Sequence, residues 1–223
     1  MARNYVIDVM LVGATGAGKS STINALMGNS VSKVGYGADP ETMKIRAYRM
    51  NKNLRLWDTP GLGDSPEADK EHIQKIKSLL NTRFDCHGKK YGRLIDIVLV
   101  IVDGSHRDIG TLLNLVKENI YTEINPENVF FAINQADMAM HGHHFDKKKS
   151  IPDEILLKFL TEQALSVKKR MEESTGKKIR LPSFYSAQKN YNLGNLLDSV
   201  IYDSKWRKRK YLLHRPIYNS LFT

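Results

Sequence analysis

Tyr5-Val-Ile-Asp-Val-Met-Leu-Val12, Gly13-Ala-Thr-Gly-Ala-Gly-Lys-Ser20 and Ser21-Thr-Ile-Asn-Ala-Leu-Met27 run on without a break. The first segment is apolar and rich in β-branched residues, so it reads as a buried strand, and the third reads as the opening turns of a helix. Between them stands a complete G-x-x-x-x-G-K-S loop. A turn from strand to helix N-terminus points successive backbone N–H groups inward, and such a cradle suits a polyphosphate. Gly13, Gly16 and Gly18 let the backbone approach the phosphates, and Ala14, Thr15, Ala17 and Ser21 complete the cradle. Lys19 is placed to neutralise the β- and γ-phosphates and the Ser20 hydroxyl to ligate Mg²⁺. This pattern predicts a nucleotide-binding protein.

The choice of base rests on residues far downstream. After the apolar runs 94–102 and 128–133 comes Asn134-Gln-Ala-Asp137. The Asp137 carboxylate can accept from both guanine N1–H and the exocyclic amine, whereas adenine offers neither donor there and leaves the charge unpaired. Asn134 is expected to tie this loop back to the phosphate loop. Phe184-Tyr-Ser186-Ala187 supplies a backbone N–H, at Ala187, for the guanine O6. The order of these segments, each at a strand end, fits ligand binding at the carboxyl edge of an open α/β sheet.

Between the two regions lies Leu54-Arg-Leu-Trp-Asp58-Thr-Pro-Gly61. A short strand ending in Asp58 fits a carboxylate that holds Mg²⁺, and Gly61 offers an N–H to the γ-phosphate. With these motifs in this order, residues 5 to 202 resemble the translation-factor-like GTPases, in particular the Era-like branch. Within it the chain looks most like small bacterial proteins of the YeeP/YfjP type. The resemblance implies GTP and GDP as substrate and product, Mg²⁺ as cofactor, and Lys19, Thr42 and Gly61 as catalytic contacts. Two positions depart from the family pattern. Gln135 stands where a lysine usually lies along the base. Leu62 follows Asp-Thr-Pro-Gly where Ras-like enzymes place a water-positioning glutamine, as it does in Era-like relatives, so slow intrinsic turnover is expected. Gly16 occupies the position at which potassium-dependent relatives carry asparagine, so potassium activation is not implied.

Thr42 is the expected second Mg²⁺ ligand, chosen by its position before the alternating run 43–49; the other reading is that it only starts that strand. Residues 29–42 would then form one nucleotide-sensing switch and Leu62–Asp69 a second.

Apolar strand-like runs alternate with helical ones, predicting a three-layer α/β fold with a mostly parallel sheet of about six strands and one antiparallel edge strand. Helices are expected at 19–28, 67–81, 108–120, 152–173 and 193–202, and the insert 81–93 as a surface loop. Residues 1–203 are read as one GTP-binding domain and 204–223 as a basic C-terminal tail. No signal peptide or long apolar run is evident and Cys86 stands alone, so a cytoplasmic protein without a transmembrane segment is expected.

The charge is less ordinary: 34 Lys plus Arg face 24 Asp plus Glu, a net +10. The excess gathers at 147–149, 168–170, 177–178 and in the tail 205–210. It reads either as a surface for a phosphate-rich partner, ribosomal RNA or an anionic membrane, or as a solvated basic face. His141, His143 and His144 read as a polar loop rather than a metal site. The expected function is a slow, Mg²⁺-dependent GTPase switch acting on a macromolecule. The alternatives are a septin-like or immunity-related GTPase with nucleotide at a homodimer interface, and a binder without useful turnover.

Overall fold

A computed structural model describes residues 6–28, 45–51, 53–86, 89–105 and 109–201. In chain order the main elements are β1 (Ile7–Gly13), α1 (Lys19–Met27), β2 (Arg46–Asn51), β3 (Leu54–Asp58), α2 (Pro66–Asn81), β4 (Arg83–Cys86), β5 (Lys89–Arg93) and β6 (Ile97–Asp103). Then follow α3 (Gly110–Leu115), β7 (Val129–Asn134), β8 (Phe145–Asp146), β9 (Ile151–Pro152), α4 (Glu154–Thr175), β10 (Ser183–Phe184) and α5 (Leu193–Ile201). The main sheet has six strands in the order β10-β7-β6-β1-β3-β2. Every pairing in it is parallel except that of the edge strand β2 with β3. The expected α/β architecture is the one found.

Both faces of the sheet are covered, and the alternation along its central strands divides the core in two. Ile7, Val9 and Leu11 of β1 pack with Ile97, Leu99 and Ile101 of β6 toward α1 and α5. Met10 and Val12 pack with Val98, Val100 and Val102 toward α2, α3 and α4. Because both alternating sets are buried, these strands read as continuous apolar runs. The loops after β1, β3, β6, β7 and β10 all leave the carboxyl edge of the sheet, where the motif residues collect.

Local signals explain the helix ends. Ser65 caps α2 by accepting from the Ala68 N–H, with Pro66 at the first helical position. Asp153 caps α4 in the same way through the Leu156 N–H. Gly28 closes α1 in the left-handed region at φ 68°.

The structure corrects several boundaries. The insert at 81–93 is not a plain loop: β4 and β5 pair antiparallel as a separate ribbon. The described edge strand runs over Arg46–Asn51, with 43–44 outside the described residues, and the last helical turn before Tyr121 is a π-turn, Val116–Ile120. Because α2 begins at Pro66, only Leu62–Ser65 of the second switch is loop. Thr42 and the first switch, and the basic tail, lie outside the described residues. Among the described residues no helix is long and apolar enough to cross a membrane.

Candidate functional site

The phosphate loop joins β1 to α1 with Gly18 as the residue before the helix, at φ 86°, and its side chain, a hydrogen, offers no cap to that N-terminus. Gly18 is required twice, by its positive φ and because a Cβ there would collide with the Asn134 amide nitrogen. The Lys19 ammonium folds back over the loop and donates to the Gly13 and Ala14 carbonyls at 3.1 and 3.0 Å. Burial pushes this ammonium down to about 8, with the Asp58 and Asp64 carboxylates pulling upward.

At the end of β3, Asp58 is buried and accepts from the Ser20 hydroxyl at 2.7 Å through Oδ2. Its Oδ1 is buried without a hydrogen-bond partner among the described residues. Burial raises the Asp58 carboxyl above the usual carboxylate range, while the Ser20 hydrogen bond and Lys19 oppose that shift. A hydroxyl beside a half-satisfied carboxylate is a hard oxygen donor set, and it fits Mg²⁺. No group of three or more His, Cys, Asp and Glu side chains forms a metal cage among the described residues. Thr59, which follows Asp58, uses its hydroxyl on the Leu11 carbonyl at 2.7 Å.

Gly61 packs so closely on Thr15 that a Cβ would lie 2.7 Å from the Thr15 Cα. Leu62 extends the sheet by one bridge: its N–H donates to Gly13 O at 3.1 Å and its carbonyl accepts from the Thr15 N–H at 2.9 Å. The Leu62 side chain is buried in the core under α2. It does not face the cleft.

Across the cleft, Asn134 ends β7 and bridges two loops. Its amide donates to Ala17 O at 3.0 Å and its Oδ1 accepts from the Ala187 N–H at 3.1 Å. The expected tie to the phosphate loop is present, but the Ala187 N–H is already engaged, so a base would have to share that donor with Asn134. Gln135, at φ 61°, donates to Gly16 O at 2.9 Å and to Asp103 Oδ2 at 3.1 Å. It acts as a strut to the phosphate loop. Asp137 and Ser186 are buried, and both line a cavity of about 680 Å³ together with Gly16, Gly18, Ser21, Asn134, Gln135 and Ala187.

Three positioning groups went unnoticed in the sequence. Tyr185 is fully buried and its hydroxyl pairs with that of Thr22 at 2.7 Å, locking the Ser186-Ala187 turn to α1. His72 of α2 donates from Nδ1 to Gly61 O at 2.7 Å. Contacts this remote in sequence have no local pattern. The histidine-rich loop is not gathered: His144 pairs with Asp153 at 2.7 Å, at the start of α4. Replacing Asn134 by alanine is expected to lower the unfolding free energy by about 2 kcal/mol, because two buried backbone groups lose their partners. Urea titration checks it.

Residues 8–135 match the family described as 50S ribosome-binding GTPase. The chain belongs to this P-loop GTPase family. Two relatives from Escherichia coli (strain K12) are uncharacterized proteins: YkfA, 28% identical over 138 residues, and YfjP, 27% identical over 144. Each alignment covers 61% of this chain and 44% of the relative, so the GTPase chain spans less than half of their length. Toc33 from Arabidopsis thaliana, in complex with Mg²⁺ and GMPPNP, superposes with a TM-score of 0.62 over 92% of this chain and 86% of that one. At 19% identity that likeness establishes the fold alone.

Proposed function

We propose that the protein binds GTP and hydrolyses it slowly with Mg²⁺, as a switch acting on a macromolecular partner. The carrying observation is convergence: one cavity of about 680 Å³ is lined both by the phosphate loop and by the Asn134–Asp137 and Ser186–Ala187 segments. In this reading the backbone from Gly13 to Ser21, including Ala14, Thr15, Gly16, Ala17 and Gly18, cradles the phosphates, and Lys19 neutralises their charge. Ser20 and Asp58 hold Mg²⁺, joined by Thr42 from the first switch, and the ion neutralises charge on the β- and γ-phosphates. Gly61 offers its N–H to the γ-phosphate. Asp137 reads the guanine amines, Ala187 its O6, with Ser186 beside it and Gln135 bracing the loop. Leu62 is held in the core, so the group that orients water comes from elsewhere, and low turnover follows. Within the family the protein stands beside the YeeP/YfjP-type proteins, a reading supported by the likeness to YfjP. Residues 1–203 act as the nucleotide-binding domain. The basic tail is read as the contact to ribosomal RNA or an anionic surface. A nucleotide-dependent homodimer is a second arrangement, supported by Toc33, for which dimerization is described as important for GTPase activity.

Calorimetry with GDP, GTP, ADP and ATP in Mg²⁺ tests the reading. Guanine nucleotides are expected to bind and adenine nucleotides not. Asp137→Asn is expected to weaken GDP and GTP by about thirtyfold, the loss of a charge-assisted pair to two donors. Equal affinity for adenine nucleotides would sink the guanine assignment.

A further inference from the structure

His72 sits in the second turn of α2, only 3% exposed, with its ring against the loop that follows β3. A carbonyl only accepts, so its bond to Gly61 O requires a proton on Nδ1. The rest of residues 59–62 is tied to the phosphate-loop strand instead. The Thr59 hydroxyl holds Leu11 O, and the Leu62 peptide groups hold Gly13 O and the Thr15 N–H. Gly61 lies between these anchors and has no Cβ, because Thr15 leaves no room for one. A glycine is the softest point of such a segment. The peptide after it is gripped on both sides, its carbonyl by His72 and its N–H by Gly13 O. A residue needed only to fill the core under α2 would serve as well if aliphatic, like its neighbours Ile76 and Leu80.

We propose that His72 is a positioning residue for Gly61: it fixes the backbone there so that the Gly61 N–H is held for the γ-phosphate, and it connects that contact to α2. This rests on the GTP-switch reading above. The γ-phosphate distinguishes GTP from GDP, so His72 governs the preference between the two and contributes little to holding the nucleotide. It also gives α2 a direct route by which the bound nucleotide is felt, since a shift of Gly61 moves the acceptor of a buried hydrogen bond on that helix.

The test measures GDP and GMPPNP affinity by calorimetry with Mg²⁺ for wild type, His72→Leu and His72→Asn. Asn places its amide nitrogen where Nδ1 stands, whereas Leu keeps the volume and loses the donor. His72→Leu is expected to weaken GMPPNP about tenfold and GDP less than about twofold, and His72→Asn to restore GMPPNP to within about threefold of wild type. Equal weakening of both nucleotides, unchanged GMPPNP affinity in His72→Leu, or no rescue by Asn overturns the proposal and marks His72 as a packing residue. Hydrogen exchange on the wild type gives a reading that does not depend on variants folding. GMPPNP should protect the α2 amides beyond the protection GDP gives, and equal protection counts against the link. A wild type that binds neither guanine nucleotide refutes the switch reading itself, a result distinct from loss of discrimination alone.

Discussion

Lys19→Ala is expected to weaken GDP and GTP binding about a thousandfold, which calorimetry on the purified variant can read. A buried ammonium between two phosphates makes charge-assisted bonds worth about 1.5–3 kcal/mol each, and alanine supplies none. The fold should tolerate the change, since among the described residues the ammonium's hydrogen bonds go to the Gly13 and Ala14 carbonyls of the loop itself. The lowered Lys19 value adds a pH signature. In the nucleotide-free protein the amine loses its proton near pH 8, whereas a nucleotide's phosphates favour the charged form. Binding above pH 8 therefore takes up a proton, and affinity falls as pH rises. Calorimetry at pH 9 in two buffers of different ionisation enthalpy should show that uptake in wild type and not in Lys19→Ala. The stability term has the opposite sense. Between pH 8 and 10.5 the unfolded chain holds a proton at Lys19 that the folded one has released, so this group makes the empty fold more stable as pH rises through that window. A nucleotide affinity indifferent to both the variant and pH would contradict the phosphate role.

The second large effect lies away from the cleft. Asp8 stands opposite Arg55 in the register of β1 and β3, fully buried, and pairs with its guanidinium. The same carboxylate oxygen accepts from the Trp57 indole N–H at 2.8 Å, and the guanidinium lies 5.0 Å from the Trp57 ring centre. Asp8→Ala is expected to cost about 4 kcal/mol, because it strands a largely buried cation and a buried indole N–H. Denaturant unfolding would show it as an earlier midpoint. The double variant Asp8→Ala with Arg55→Met should recover more than half of the loss, since the stranded charge leaves as well. Asp8 and Arg55 lie toward the amino ends of β1 and β3, while the cleft opens at the carboxyl ends. Nucleotide affinity per folded molecule should stay unchanged, which separates this variant from Lys19→Ala.

How much of this was legible in the sequence follows from the range of the interactions. The β1–loop–α1 unit, the Asp58 strand end and the Asn134–Asp137 segment announce themselves because each motif is local and ends an apolar run. The starts of α2 and α4, expected at 67 and 152, lie at Pro66 and Glu154, where the Ser65 and Asp153 caps set them. Gln135 is a different case. It looked like a weakened lysine, yet its amide braces Gly16, 119 positions away, through a geometry set by its positive φ. Tyr185 meets Thr22 across 163 positions, and His72 reaches Gly61 only because the loop before α2 turns back on it. The β4–β5 ribbon was missed because pairing between short polar strands leaves no apolar period to read.

The sheet ends on one side in β10, two residues long, and on the other in β2, whose register slips between Arg49 and Asn51 and which carries exposed Arg46 and Arg49. A short border and a kinked, cationic one are both poor templates for an added strand. Among the described residues, neither border offers another copy of the chain a long, straight row of backbone donors and acceptors along which to align. The route to stacked, fibrous aggregates through either border is thereby narrowed without any change to the central strands that carry the cleft residues.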